Sequence, residues 1–336
     1  MAGGLVILDG IKTTGGEHCE TSTLDVLLRH AGIELSEPML FGLGEGLGFV
    51  YWDGKNLPFP FLGGRAKPAE ITRKLTDRLG LTLRVKETSS VRTSWRNVAE
   101  EIDAGAPVGL QLDSYHLEYF TSKVHFGGHF VALYGYDDER AFVVDTAQQG
   151  GAVSTSLASL ERARAEKGPM TAKNRSFTIT AEGPLVPLPD AIRTAVRANA
   201  AEFLNPPIAN LGYRGIGKAA VQVRKWLERS DDPARDLPQA ASLMERAGTG
   251  GALFRRIYRD FLEECTSLVD DAGLHAAYEK YREITPLWTE VARLFTQAGE
   301  TGEARPLNDA SAVLSELAQR EQEAMTALAT VQGVRS

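Results

Sequence analysis

Cys19, His129 and Asp145 have the residue types and the chain order from which a cysteine nucleophile is built. Cys19 sits in Gly15-Gly16-Glu17-His18-Cys19-Glu20-Thr21-Ser22-Thr23-Leu24, where a glycine-rich turn runs into an amphipathic stretch. A cysteine at a helix start meets the positive end of the macrodipole and unpaired backbone N–H groups, and both favour the thiolate. His129 opens the apolar run Phe130-Val131-Ala132-Leu133-Tyr134-Gly135-Tyr136, and Asp145 closes Ala141-Phe142-Val143-Val144. The polar residues 137–140 between the two runs mark a hairpin. In an antiparallel pair these positions are neighbours across the ladder. The carboxylate can then orient the imidazole while the other ring nitrogen faces the thiol. Taken alone, His129 and Asp145 are an ordinary histidine beside a turn aspartate. The helix-start cysteine and the Gly127-Gly128 lead-in put the triad ahead.

The elements that must position these residues follow from periodicity. Leu24, Leu27, Leu28 and Ala31 recur at helical spacing and Gly32 stands at the C-terminal cap, which predicts a helix over 19–31. Further helices are expected over 69–79 and 94–104, and strands over 49–52, 81–85, 108–112, 130–136, 141–145 and 177–180. Early helices and a late meander of strands predict an α+β domain over 1–183. The stretch Gly183-Pro184-Leu185-Val186-Pro187-Leu188-Pro189 reads as a linker. Beyond it, amphipathic segments over 190–204, 216–229, 251–270, 274–298 and 306–331 predict an all-helical domain over 184–336, with breaks at Pro206-Pro207, Asp231-Asp232-Pro233 and Gly248-Thr249-Gly250-Gly251.

Other candidates carry less. The loop-like Gly42-Leu43-Gly44-Glu45-Gly46-Leu47-Gly48 precedes a strand and lacks the Lys-Ser/Thr ending of a phosphate loop, so it is read as a flexible loop near the cleft and not as a nucleotide site. The glycines at 248–251 do open a helix, and Arg255 and Arg256 could assist an anion there, although plain helix initiation is the simpler reading. His125 and His129 lie in a loop-to-strand segment, so their spacing implies no metal. Cys265 shares an apolar face with Ile257, Phe261 and Leu268 and is expected to be core.

Three segments together, Gly16-Glu17-His18-Cys19-Glu20-Thr21, Leu112-Asp113-Ser114-Tyr115-His116-Leu117-Glu118-Tyr119, and Gly128-His129-Phe130 through Gly135-Tyr136-Asp137-Asp138 to Val144-Asp145, resemble the butirosin biosynthesis protein H family. A further stretch, Gly248-Thr249-Gly250-Gly251-Ala252-Leu253-Phe254-Arg255-Arg256-Ile257-Tyr258, resembles the helical domain that accompanies it. The resemblance implies a papain-like, double-glycine-peptidase-like N-terminal domain followed by a helical one. It also implies an acyltransferase that takes an acyl group from the phosphopantetheine thioester of an acyl carrier protein and passes it to a small-molecule amine in natural-product biosynthesis. Carried over, Cys19 is the nucleophile, His129 the acid and base, and Asp145 the orienting residue. Papain-like enzymes commonly place a glutamine shortly before the cysteine, but this chain reads Lys12-Thr13-Thr14-Gly15-Gly16. The Cys19 N–H supplies one oxyanion donor, and Thr14, His18 or Tyr115 is the candidate for the second. Tyr115, His116 and Tyr119 follow the strand over 108–112 and could line a polar acceptor pocket, although tyrosines at that spacing are just as often ordinary core or rim residues. A cysteine hydrolase, either thioesterase or peptidase, is the rival reading of the same triad, and an inactive binding module is the third.

The 336 residues are 43% apolar and carry a net charge of -7, which is enough chain for two packed domains and disfavours nucleic acid as partner. Residues 190–230 are locally basic, through Arg193, Arg197, Arg214, Lys218, Arg224, Lys225 and Arg229. This region is either a solvated helix face or a surface for an acidic carrier protein. No signal peptide or membrane-spanning run is visible. With only two cysteines, a reducing cytoplasmic setting is expected, with no bound cofactor of the protein's own.

Overall fold

The computed structural model describes residues 4–54, 57–168 and 170–333. In chain order its elements are β1 (Val6–Ile7), α1 (Cys19–His30), α2 (Glu37–Leu43), β2 (Leu47–Trp52), β3 (Phe61–Arg65), α3 (Glu70–Leu79), β4 (Thr82–Lys86), α4 (Val91–Asp103), β5 (Val108–Leu112), β6 (His129–Tyr136), β7 (Arg140–Val144), β8 (Ala152–Ser156), α5 (Leu157–Ala165) and β9 (Ser176–Thr180). They continue as α6 (Leu188–Leu204), α7 (Gly212–Gln222), α8 (Trp226–Arg229), α9 (Pro233–Arg246), α10 (Arg255–Leu268), α11 (Ala272–Thr301) and α12 (Arg305–Ala329). The chain forms two compact units, Met1–Leu40 with Pro68–Leu185, and Phe41–Lys67 with Val186–Ser336.

The first unit is α+β. Its antiparallel sheet runs β4-β9-β5-β6-β7-β8, with β1 added beside β6. The sheet's core is Val108, Leu110, Leu112, Val131, Leu133, Ala141 and Val143, closed by Val98 and Ile102 of α4 and Leu160 and Ala163 of α5. β5 is buried along its whole length, the polar Gln111 included. The β6–β7 ladder has an irregularity between Leu133 and Gly135, and its last registered pair is Ala132 with Val144. His129 and Asp145 are therefore not direct cross-strand partners, as the even hairpin predicted. Asp145 lies just past the end of β7, and its side chain makes the connection.

The second unit departs from the linear division at 183/184, because residues 41–67 belong to it. Its helical core has a β2–β3 hairpin built in. Val50 bridges Leu211, Tyr51 N–H donates to the Asn210 carbonyl, and Asn199 Nδ2 donates to the Leu47 carbonyl at 2.8 Å. Phe49 packs on Trp288, and Phe41 stacks on Phe254. The glycines at 42–48 are consequently not a flexible loop. Gly42 lies in α2, where a Cβ would come within 2.1 Å of the Phe261 ring, and all seven residues but Gly48 are buried. Residues 233–246, read from sequence only as following a break, form α9: Asp232 caps it and Pro233 occupies its first turn. β1, β3, β8, α2 and α5 were likewise not expected.

Arg255 is not available to an anion. It is fully buried, and its Nε and Nη2 donate to Glu321 Oε1 and Oε2 at 2.8 and 2.9 Å, while Trp288 Nε1 donates to Glu321 Oε1. Arg255 Nη1 donates to the carbonyl of Leu253, which lies in the left-handed turn of Ala252, Leu253 and Phe254 (φ 50°, 50° and 71°). Left-handed conformation costs a non-glycine residue about 1–2 kcal/mol, so the guanidinium offsets strain beside it. Glu321→Ala strands a buried cation, and urea unfolding should show a loss of about 3–5 kcal/mol. Pairing it with Arg255→Met should recover much of the deficit, and an undiminished midpoint in the single variant would show that the pair does not hold this unit together.

Candidate active site

Cys19 is the first residue of α1 and is 7% exposed. The turn before it needs glycine twice. Gly15 has φ +66°, and a Cβ there would come within 2.1 Å of the Asp145 carbonyl; a Cβ at Gly16 would strike the Glu37 carboxylate. Ala147 N–H donates to the Gly16 carbonyl at 2.8 Å. The glycine turn is thus docked against the segment carrying Asp145, which ties the cysteine helix to the sheet. Behind Cys19, the buried Glu20 carboxylate accepts from Ala69 N–H, Thr72 N–H and Thr72 Oγ1, and so caps α3.

His129 begins β6 and Asp145 is fully buried. His129 Nε2 and Asp145 Oδ2 are 2.8 Å apart. The same oxygen accepts from the Tyr119 hydroxyl at 2.8 Å, and Oδ1 accepts from Thr146 N–H at 2.6 Å. The edge of Phe120 packs against the imidazole at 5.1 Å. Burial disfavours the imidazolium, but the charges of Asp145 and Cys19, and hydrogen bonds to both, outweigh it and raise His129 from 6.5 to about 10. With Nε2 held by Asp145, Nδ1 is the nitrogen left for Cys19. Because the folded value is raised, the stabilisation from the imidazolium is fully present below pH 6.5 and is lost as pH rises through about 10.

The remaining sequence candidates separate. Tyr119 shares Asp145 Oδ2 with His129, and burial with the Asp145 charge raises its hydroxyl well above its ordinary value. Tyr115 instead stacks on His125 at 4.0 Å and packs edge-on to His116. His18 occupies the N-cap position of α1, buried, with Nδ1 3.4 Å from Thr21 Oγ1. Thr14 is exposed. Helix geometry leaves Cys19 N–H without an intrahelical acceptor, as an oxyanion donor requires. The amides of Glu17 and His18 are not available for that role, since both donate to Glu37 at 2.9 and 2.8 Å. Glu37, which also accepts from Thr21 Oγ1 at 2.7 Å, was missed from sequence. It puts a carboxylate at the helix end where only the dipole had been expected. Gln111, buried on β5, donates to the Gly127 carbonyl at 2.9 Å and fixes the strand entry to His129. Cys265 is fully buried, and burial pushes its thiol up, as a core cysteine's should be.

Several of the basic residues at 190–230 have partners within the second unit. Arg193 lies 3.7 Å from Asp271, Arg224 donates to Ser311, Arg229 to Asp53, and Lys218 to Asn210. Much of this charge is therefore engaged internally.

Residues 18–146 match the family described as Butirosin biosynthesis protein H, N-terminal. Residues 158–328 match a domain of unknown function, DUF4872, a region that starts within α5 and so is not confined to the helical unit. Among solved structures, the chain is similar to a C39-like peptidase from Bacillus anthracis, at 18% identity and a TM-score of 0.37 over 54% of this chain and 99% of that one. A search of curated proteins returns no match.

Proposed function

Since the chain belongs to the butirosin biosynthesis protein H family, we propose that it is a cysteine acyltransferase that forms amides, with Cys19, His129 and Asp145 as its catalytic residues. The donor is the phosphopantetheine thioester of an acyl carrier protein, and the acceptor is an amine. The observation that carries the reading is the 2.8 Å bond from His129 Nε2 to the buried Asp145, with Cys19 hydrogen-bonded to and acting on the same imidazole.

The Cys19 sulfur attacks the thioester carbonyl carbon, and the oxygen takes negative charge beside the Cys19 N–H. The carbon–sulfur bond to the carrier then breaks, and the His129 imidazolium gives its proton to the departing thiolate. Acylation leaves the Cys19 sulfur neutral, which removes one of the two charges that raise His129. The ring, now neutral, accepts a proton as the amine nitrogen attacks the acyl-enzyme. Cys19 leaves as thiolate and the ion pair is restored. The first step exchanges one thioester for another and is nearly balanced, so amide formation drives the sequence.

What supports transfer over hydrolysis is the match of residues 18–146 to the butirosin biosynthesis protein H family, the resemblance to which implies an acyltransferase. In a reaction with an acyl thioester and a panel of amines, followed by mass spectrometry of products, amide should exceed free acid several-fold. Free acid alone across the panel would establish the hydrolase. No helix among the described residues is long and apolar enough to cross a membrane.

A further inference from the structure

We infer that His116, His125 and Glu166 form a binding site for a divalent transition-metal ion, with zinc the expected occupant. Each can offer one ligand atom such that the three lie within 4.8 Å of one another. They come from three separate places in the first unit: a single 3-10 turn at Ser114–His116, the segment before β6, and the C-terminal cap of α5. This is why no motif spacing reveals them. Two imidazoles and one carboxylate are a donor set that zinc takes with a fourth position left for water.

A second observation points the same way. Asp113 is 5% exposed, and its Oδ2 sits 3.2 Å from His125 Nδ1 while its Oδ1 accepts from Tyr115 and Phe126 N–H. A carboxylate that takes the Nδ1 proton fixes the tautomer and leaves Nε2 as the electron-pair donor, as the partners of metal-bound histidines commonly do. Tyr115 stacks on the same ring with planes 12° apart and restrains its orientation. His116 Nε2 and Glu166 Oε2 already stand 2.5 Å apart. Donors on a tetrahedral ion at about 2.0–2.1 Å lie about 3.3 Å from one another, so the ion would part this pair slightly and draw His125 inward. His125 is exposed, and the move is a small adjustment within the hold of Asp113 and Tyr115. The ion would clip the segment leading into His129 to the end of α5, and so steady the strand entry and Tyr119.

The test uses the full chain carrying Cys19→Ser, which prevents capture of zinc by the nucleophile. After dialysis against chelator, titration with zinc chloride by calorimetry should give one saturable site and a rise in melting temperature. His116→Ala and Glu166→Gln should each weaken binding at least about tenfold. His125→Ala, on an exposed side chain, should do the same with the metal-free melting temperature unchanged. Absence of saturable binding up to millimolar zinc, or binding that His125→Ala leaves intact, overturns the site.

Discussion

Replacing Cys19 with alanine should reduce thioester turnover by about 10^4-fold or more, to the level left by binding and the backbone donor alone. The residue is small and nearly buried at the start of α1, and alanine is a good helix former, so the melting temperature should hardly change. The expected signature is a folded, inert protein with kcat at background against an acyl thioester. A Cys19→Ala enzyme retaining a tenth of its rate would remove the sulfur from the mechanism.

Asp145→Ala should be nearly as damaging, and for two reasons that a second substitution separates. Alanine orphans His129 Nε2, the Tyr119 hydroxyl and Thr146 N–H, all of which now donate to one buried carboxylate. Each stranded group costs about 1–3 kcal/mol, so the variant should melt well below the parent as well as lose about 10^3-fold or more in rate. Asp145→Asn keeps an acceptor for His129 and Tyr119, loses only the one for Thr146 N–H, and should fold. It removes the charge that, with Cys19, holds His129 up at about 10. The alkaline limb of its pH–rate profile should therefore move to lower pH, and the extra stability present below pH 6.5 should shrink. A profile of unchanged position in Asp145→Asn would show that the carboxylate does not set the imidazolium.

The parts of the site that were legible in the sequence are those encoded locally. The helix at Cys19 shows in the spacing of Leu24, Leu27 and Leu28, and the hairpin shows in two apolar runs around a polar turn. What escaped was set by tertiary approach. Glu37 reaches the α1 terminus from another helix, and Gly16 is glycine to admit it. Tyr119 was read as pocket lining because nothing in its spacing reveals that Asp145 Oδ2 would accept both its hydroxyl and His129. The β6–β7 ladder ends at Ala132 with Val144, short of His129, so the Asp145 side chain and not strand pairing makes the contact, which hairpin periodicity cannot anticipate.

In the second unit one element carries a local signal and one carries none. Asp232-Pro233 is a helix start, with aspartate at the cap and proline in the first turn, yet it was read as a break. The β2–β3 hairpin lies far from its helices in sequence, and β3 reads Phe61-Leu62-Gly63-Gly64-Arg65, a poor strand former by propensity. Gly64 is glycine because a Cβ would come within 2.4 Å of the Leu253 carbonyl, in the left-handed turn that Arg255 supports. Composition could mark that stretch as unusual, but only the packing explains it.

The most direct test of the central claim is intact-mass analysis of the protein after mixing with an acyl thioester, with peptide mapping of the modified residue. The mechanism predicts one acyl group on Cys19, absent in Cys19→Ala, that persists in water and is discharged by an amine with formation of the amide. An unmodified Cys19 across a panel of thioesters, or an adduct that water alone removes, would contradict it.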